Sequence, residues 1–446
     1  RDGLGPAHAT SGAPPRRVSY VTLQFALRAA PCSAHRLSGV NSRWRAVAEA
    51  AGLASPDGTT RPTIFAEMSA LAAATGAANL GQGFPDADGP EWIREAAITA
   101  VREGANQYPP GRGIPALRAA VAAHQLRHYG MTFDPDSEIL ITAGATEAIA
   151  SAILALAGPG DEVLTLEPFY DSYAAGIAMA GATHVTVPLV PGADGFRLDV
   201  EALAERVTER TRLILVNTPH NPTGTVLTRA ELERVAEAAN RVDAIVITDE
   251  VYEHLTFDGQ VHTPLAILPG MAERTLTISS AGKTFSLTGW KVGWVCGPAA
   301  LIEALLAVKQ YLTYSGGAPF QPAIARALVE GDTDIAELRD SLSTRRDLLI
   351  TGLRSSGFDV IVPGGTYFVC ADATPFLSAE IPDGSAFARA LPALAGVACV
   401  PISAFCREGS DAAASLSSWV RFTFVKDSST LEEAVSRLQA FAALQR

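Results

Sequence analysis

Between residues 138 and 297 short β-branched runs alternate with Ala- and Glu-rich helical stretches, and this alternation is the strongest constraint that the chain places on its fold. The runs are EILIT (138–142), EVLTLEP (162–168), RLILVN (212–217), AIVITDE (244–250), TLTISS (275–280) and VGWVCG (292–297). Apolar runs of this length, separated by helical stretches, pair in parallel and need cover on both faces, so they predict a doubly wound, mostly parallel sheet. After about residue 330 a helix, four short strands (FDVIVP, TYFVCAD, VACVPI and WVRFTF) and a closing helix from 430 predict a smaller α+β domain. Residues 1–62 differ. They hold eight Arg, no Lys and three acids, and show no sustained periodicity. An Arg-rich, acid-poor segment suits a transit peptide, but no clean amphipathic helix covers it, so it is expected to be a disordered extension without assigned function.

Composition removes several classes of function. With 47 acidic against 35 basic residues the net charge is -12, which argues against a general nucleic-acid or anionic-membrane binder. No apolar stretch approaches the roughly 18 residues of a spanning helix, so no membrane partner is expected. Cys32, Cys296, Cys370, Cys399 and Cys406 are scattered without a CxxC pair, which suits a reducing, cytoplasmic setting and supports neither a zinc site nor a disulfide framework. The eight histidines form no HExxH or similar pair, so no metal is expected, and His220 and His254 read as supporting or solvated residues. Only Lys283, Lys291, Lys309 and Lys426 are lysines; the other basic residues are arginine. Arg serves wherever a plain positive charge is enough, so a surviving Lys has a raised claim to a position needing a primary amine.

In open α/β sheets the ligand sits at the carboxyl ends of the strands. The segment 142–156, TAGATEAIASAILAL, runs from a strand into a helix through Gly144, Ala145 and Thr146, where free amides and the helix dipole make an anion site; alone, it is also an ordinary strand–helix turn. AIVITDE ends in Asp249 and Glu250, as the magnesium-binding strand of a nucleotide hydrolase does. That reading fails, because AGKT (281–284) has Thr277 where a phosphate loop requires glycine. Gly111 with Gly113 and Gly81 with Gly83 open no helix in a βαβ unit, which leaves nicotinamide binding little support, and no GxSxG elbow is present. What remains is ISSAGKTFSLTGWKVGW (278–294), which follows a strand and holds Lys283 and Lys291. A lysine at a strand end amid small residues is placed to act as a nucleophile. An amine nucleophile, a buried acid and a phosphate cradle together are what pyridoxal phosphate requires.

From about residue 61 onward the chain resembles the class I/II aminotransferases of the aspartate aminotransferase fold. The resemblance rests on NLGQGFPD (79–86), NQYPPGRG (106–113), GATEAI (144–149), EPFYDSY (167–173), NTPHNPTG (217–224), ITDEVYEHL (247–255), ISSAGKTFSLTGWKVGW and VRFTF (420–424), in family order. Within that family it is most similar to the kynurenine, glutamine and methionine aminotransferase group and to actinobacterial N-succinyldiaminopimelate aminotransferases. The resemblance implies fold type I of the pyridoxal-phosphate-dependent transferases. Residues 63–104 would contribute to the small domain and to active-site closure, 105–325 would form the large cofactor domain, and 326–446 the small C-terminal one. It also implies a role for each matched residue. Lys283 corresponds to the lysine that carries the cofactor, Asp249 to the acid facing the pyridine nitrogen, and Asn221 and Tyr252 to the pair bonded to the ring hydroxyl. Tyr170 corresponds to the aromatic stacked on the ring. Ala145, Thr146, Ser280 and Lys291 would hold the phosphate, with Tyr108 supplied by the partner of a homodimer. Arg421 would grip the substrate α-carboxylate, and Gly83 lies in the segment closing over it.

The activity implied is ping-pong transfer of an amino group from an L-amino acid to a 2-oxo acid such as 2-oxoglutarate. The donor expected is N-succinyl-diaminopimelate, which would place the chain in lysine biosynthesis, or one of the glutamine, methionine and kynurenine type. The alternatives are a cysteine-conjugate C–S β-lyase on the same residues and, less favoured, a non-catalytic ligand sensor. No clear second arginine for a distal carboxylate is apparent, which counts against strict aspartate specificity. Lys309 and Lys426 read as surface charges.

Overall fold

The computed structural model describes residues 43–444 apart from 56, 58, 193 and 194. Residues 139–296 supply β1 (Ile139–Thr142), β2 (Glu162–Glu167), β3 (Thr183–Gly192), β4 (Gly195–Leu198), β5 (Thr211–Asn217), β6 (Ile245–Asp249), β7 (Thr275–Ser280) and β8 (Gly293–Cys296). They form one sheet in the order β1-β8-β7-β6-β5-β2-β3-β4. Only β8 and β4 run against the others. The six expected strands are all present, whereas β3 and β4 are an addition. That hairpin lies at the sheet edge, where half-exposed positions and Pro188 and Pro191 break the apolar run that marks a central strand.

The inner strands are buried on both faces because helices cover both. One face packs against Arg229–Val242 through Leu232, Val235 and Ala239, and the other against Ala145–Leu156 through Ala148, Ile149 and Ala152. Small side chains on the second helix bring its backbone close to the sheet, which matters for the site at its first turn.

A second sheet comprises β9 (Asp359–Ile361), β10 (Phe368–Asp372), β11 (Val400–Pro401) and β12 (Trp419–Thr423), all antiparallel, in the order β9-β10-β12-β11. Helices Asp332–Ser355 and Ser428–Leu444 pack on each other and share its core of Leu353, Phe387, Phe422, Leu431 and Leu438. The N-terminal segment joins this region: Ala78–Asn79 pairs in parallel with Val397–Ala398, and Thr423 donates its amide to the Leu80 carbonyl at 2.8 Å. Within the stretch expected to be disordered, Arg43–Ala50 forms a helix packed on Asp171–Ala180 with Ala48 buried, and Ala54 bridges to Thr60. The rest of that expectation, residues 1–42, lies outside the described residues. Among the described residues no helix is long and apolar enough to cross a membrane.

Two lysines expected at the surface are buried. Lys309 is 1 % exposed, with Nζ donating to the Gly111 carbonyl at 3.1 Å and the Tyr314 carbonyl at 2.6 Å. Lys426 donates to the Phe84 carbonyl at 3.0 Å and pairs with Asp86 at 2.8 Å. Each ammonium reaches a carbonyl far away in sequence, Gly111 for Lys309 and Phe84 for Lys426, a pattern that no local motif announces. Lys309→Met is expected to cost about 2 kcal/mol of unfolding free energy, because two carbonyls lose a charged donor. Denaturant titration of the two proteins measures it; an unchanged midpoint would contradict the assignment.

Candidate active site

The strand order sets the carboxyl ends of β1, β7, β6, β5 and β2 at one edge, and β8 enters the sheet from the same side. A cavity of about 360 Å³ opens there. Every expected site residue except Tyr108 lines it.

Asp249 is the last residue of β6, and β5 ends in register beside it at Asn217. Tyr173 donates its hydroxyl to Asp249 Oδ2 at 2.6 Å, while Asn217 Nδ2 donates to the Asp249 carbonyl at 2.7 Å. Asn217 Oδ1 in turn accepts the Asn221 amide at 2.8 Å. Burial raises the Asp249 carboxyl to a pKa of about 6, against the opposing pull of Tyr173 and Lys283. A buried carboxylate in that condition favours a cationic partner.

An anion cradle faces the same space. Gly144 takes a φ of 78° to turn β1 into helix Ala145–Leu156, whose first amides, at Ala145 and Thr146, have no intrahelical acceptor. Lys291, in the left-handed region at φ 52°, brings Nζ within 3.3 Å of where a Gly144 Cβ would stand. Ser280, ending β7, adds a hydroxyl to the same lining. Amides, hydroxyl and ammonium therefore converge on one cradle.

Lys283 sits in the helical turn after β7 and donates Nζ to the Tyr367 hydroxyl at 2.6 Å; that hydroxyl donates to the Gly83 carbonyl at 2.6 Å. The Tyr252 and Tyr367 rings meet edge to face at 5.2 Å beneath it, and Tyr170 stands edge-on to Tyr173 at 5.9 Å. Gly83 must stay small, since a Cβ there would lie 2.6 Å from Phe368 Cζ.

Arg421 comes from the second sheet, centrally in β12 between Cys370 and Val400. It is 1 % exposed, with Nη1 donating to Asn221 Oδ1 at 2.8 Å and Nη2 to the Gly81 carbonyl at 3.0 Å. Its guanidinium carbon lies 3.9 Å from the Phe368 ring centre. Burial lowers its pKa to about 10, which leaves it charged at neutral pH. Nε is buried without a partner, and among the described residues no carboxylate pairs with this cation. Such a group is incomplete until an anion arrives.

Among the residues that line the cavity or touch Lys283, Asn217, Tyr173, Tyr367 and Phe368 carry no expectation from sequence. Asn217 lies inside NTPHNPTG, and Tyr173 follows Tyr170 by three residues, a helical spacing that could have drawn attention to it. Tyr367 and Phe368 had no such signal, because they enter from the second sheet. Tyr108 stands on the surface, 82 % exposed, edge to face with Tyr314 at 5.6 Å. Two parts of the histidine expectations need correction, the solvated alternative for His220 and His254 and the absence of a histidine pair. His220 is buried, its Nδ1 is 2.8 Å from Thr223 Oγ1, and burial lowers its pKa to about 3, so it is not solvated. His254 is also sheltered and lies against His124 and His128, which stand four residues apart on helix Pro115–Tyr129. Helical spacing puts those two on one face, so a histidine pair at ligand spacing does exist.

A doubly wound sheet with an amine, a buried acid, an anion cradle and an unpaired arginine at its switch edge defines a cofactor-dependent enzyme acting on an anionic substrate. Residues 75–438 match the family "Aminotransferase class I and II". A Mycobacterium tuberculosis relative described as "Probable N-succinyldiaminopimelate aminotransferase DapC" is 56 % identical over 85 % of this chain and 96 % of its own length. "Methionine aminotransferase" of Escherichia coli K12 is 41 % identical over 84 % and 95 %. The solved M. tuberculosis N-succinyldiaminopimelate aminotransferase superposes with a TM-score of 0.82 at 55 % identity, covering 85 % of this chain and 97 % of that one. The chain belongs to the class I and II aminotransferases. It is therefore a pyridoxal-phosphate-dependent aminotransferase, and the buried acid and the anion cradle fit the two ends of that cofactor.

Two outcomes follow. Gly144→Ala is expected to weaken pyridoxal phosphate binding at least tenfold, because the methyl meets Lys291 and the positive φ is strained; fluorescence titration with the cofactor measures it. The raised Asp249 pKa also makes cofactor-free protein pH-sensitive. Its stabilising contribution is complete below the unfolded value of 3.8 and is lost as pH rises through about 6. Measured against Asp249→Asn, cofactor-free wild type should lose on the order of 3 kcal/mol between about pH 4 and pH 7. Added cofactor should suppress that slope, and parallel pH profiles for the two proteins would refute it.

Proposed function

We propose that the chain transfers the amino group of N-succinyl-diaminopimelate to a 2-oxo acid such as 2-oxoglutarate, by a ping-pong sequence in which donor and acceptor use one cavity in turn. The observation that carries the reading is Arg421, a buried cation with an unpaired Nε, opening on the same cavity as the Lys283 amine. An α-amino acid brings a carboxylate to the first and its Cα to the second. The M. tuberculosis relative supports the succinylated donor, and lysine biosynthesis as its setting.

In this reading Arg421 grips the substrate α-carboxylate through its planar fork, with Asn221 and Gly81 fixing its orientation. Lys283 Nζ would anchor the cofactor and, once the substrate amine has displaced it, the freed amine would take the proton from the substrate Cα, with Tyr367 holding Nζ in place. Asp249, steadied by Tyr173, would hold the proton of the pyridine nitrogen; Asn221 and Tyr252 would bond the ring hydroxyl, and Tyr170 would cover the ring. Ala145, Thr146, Ser280 and Lys291 bind the phosphate. Bound pyridoxal phosphate supplies an electron sink for the charge that develops at the substrate Cα. Gly83 lies in a segment that closes over the donor and excludes water.

The active form proposed is a cytoplasmic homodimer in which Tyr108 of the partner subunit completes each phosphate site. Its support is the exposure of Tyr108 and, at 89 %, of Tyr311. Arg421 is the one arginine lining the cavity among the described residues, and among these no second arginine stands ready to clamp a short dicarboxylate.

Lys283→Ala should abolish transamination, a loss of at least a thousandfold in kcat; full activity with bound cofactor would refute the lysine's role. A donor panel with 2-oxoglutarate tests the substrate. N-succinyl-diaminopimelate should exceed methionine, glutamine and kynurenine in kcat/KM, and a lower value would withdraw that donor. Release of pyruvate and ammonia from cysteine conjugates without an oxo acid would reveal β-elimination instead.

A further inference from the structure

On the far side of β6 and β7 from helix Ala145–Leu156, three histidines meet that the transamination site does not use. His124 and His128 project from one face of helix Pro115–Tyr129, and His254 lies in the turn after β6, two residues beyond Tyr252. One ligating nitrogen from each falls within a sphere where all pairs are closer than 4.8 Å, and His124 Nε2 is 2.8 Å from His254 Nε2. Two imidazoles bound tetrahedrally at about 2.0–2.1 Å stand roughly 3.4 Å apart, so the close pair would part by about half an ångström and a pair at the 4.8 Å limit would draw in by about 1.4 Å, within reach of side-chain rotation.

Several features suit an ion rather than a packed aromatic cluster. Gln125 supplies an independent sign. Its Nε2 lies 3.3 Å from His124 Nδ1, while its Oε1 is buried with no partner at all. Ligation through His124 Nε2 puts the ring proton on Nδ1, and a turn of the Gln125 amide then gives that proton its acceptor and satisfies the orphaned oxygen. Carboxylates stand outside the triad: Asp332 Oδ1 is 3.4 Å from His128 Nε2, and Glu253 Oε1 is 4.0 Å from His254 Nε2. His128 is exposed, which provides an entry path and room for a water as fourth ligand.

We propose that His124, His128 and His254 form a binding site for a zinc-class divalent ion, tying helix Pro115–Tyr129 to the turn that carries Tyr252. Three neutral imidazoles select Zn2+ or Co2+ over Mg2+ or Ca2+, which require oxygen ligands. The site does not take part in amino transfer. Ser279, next to Ser280 of the proposed phosphate site, donates to Glu253 at 2.6 Å, so the ion would stiffen the floor of the cavity from below.

Tag-free holoenzyme is stripped with a chelator, desalted, reloaded with Zn2+ or Co2+ and assayed by elemental analysis and visible absorption. One ion per chain and the intense visible bands of tetrahedral Co2+ are expected. His128→Gln, at an exposed position that leaves folding intact, should weaken binding at least tenfold and remove the rise in Tm that Zn2+ gives the wild type. His254→Asn should do the same, with pyridoxal phosphate occupancy confirming its fold. Less than half an ion per chain after desalting, a weak octahedral Co2+ spectrum, or undiminished binding by His128→Gln would each overturn the site.

Discussion

The active centre depends on holding charges where water does not reach them. Asp249 ends a strand buried on both faces, and its neighbours give it one hydroxyl donor and a fixed backbone rather than a cation. Arg421 is the reverse case, a buried guanidinium whose partners are an amide oxygen, a carbonyl and aromatic faces. Each is costly alone, and each is relieved by a ligand of opposite charge. The fold stores binding selectivity in that arrangement: a group that neutralises both charges at once must be cationic at one end and carry a carboxylate at the other.

The two sheets divide this work. The large one brings Lys283, Asp249, Asn221 and the cradle to one edge, because parallel strands all point their carboxyl ends the same way. The second sheet supplies Arg421, Tyr367 and Phe368, which reach the cavity from the opposite side. Apolar packing joins the two, as where Cys370 and Ile402 share a core with Leu166 and Val216, and polar contacts add specificity at the cavity. Arg421 bridges to Asn221 and Gly81, Tyr367 to Lys283 and Gly83, and Lys426 fastens Phe84 and Asp86 beside the same opening. The N-terminal segment is thus held by side chains that also face the cavity, which couples its position to the state of the site.

Much of this was legible before any coordinates. Central strands showed as β-branched runs because burial on both faces leaves no room for polar alternation, and the edge hairpin β3–β4 escaped because edges relax that demand. Lys283 stood out because lysine is rare in this chain and a primary amine has chemistry that arginine lacks. At Lys309 and Lys426 no local motif accompanies the lysine, so the surface reading stands in the sequence although both are buried donors, each with one partner carbonyl far along the chain. His124 and His128 were passed over because the third member of the cluster, His254, is far away in the sequence.

What the sequence by itself determined was the order of strands and helices, and with it the edge at which chemistry gathers, since hydrophobic period and strand-end residues are local properties. What only the tertiary structure decided was which groups from the second sheet complete that edge: the hydroxyl that receives Lys283, the aromatic face under Arg421 and the carbonyl that orients it. Those pairings join residues as much as 340 positions apart. They follow from how two sheets and an N-terminal segment pack, and no period or motif along the chain encodes such a distance.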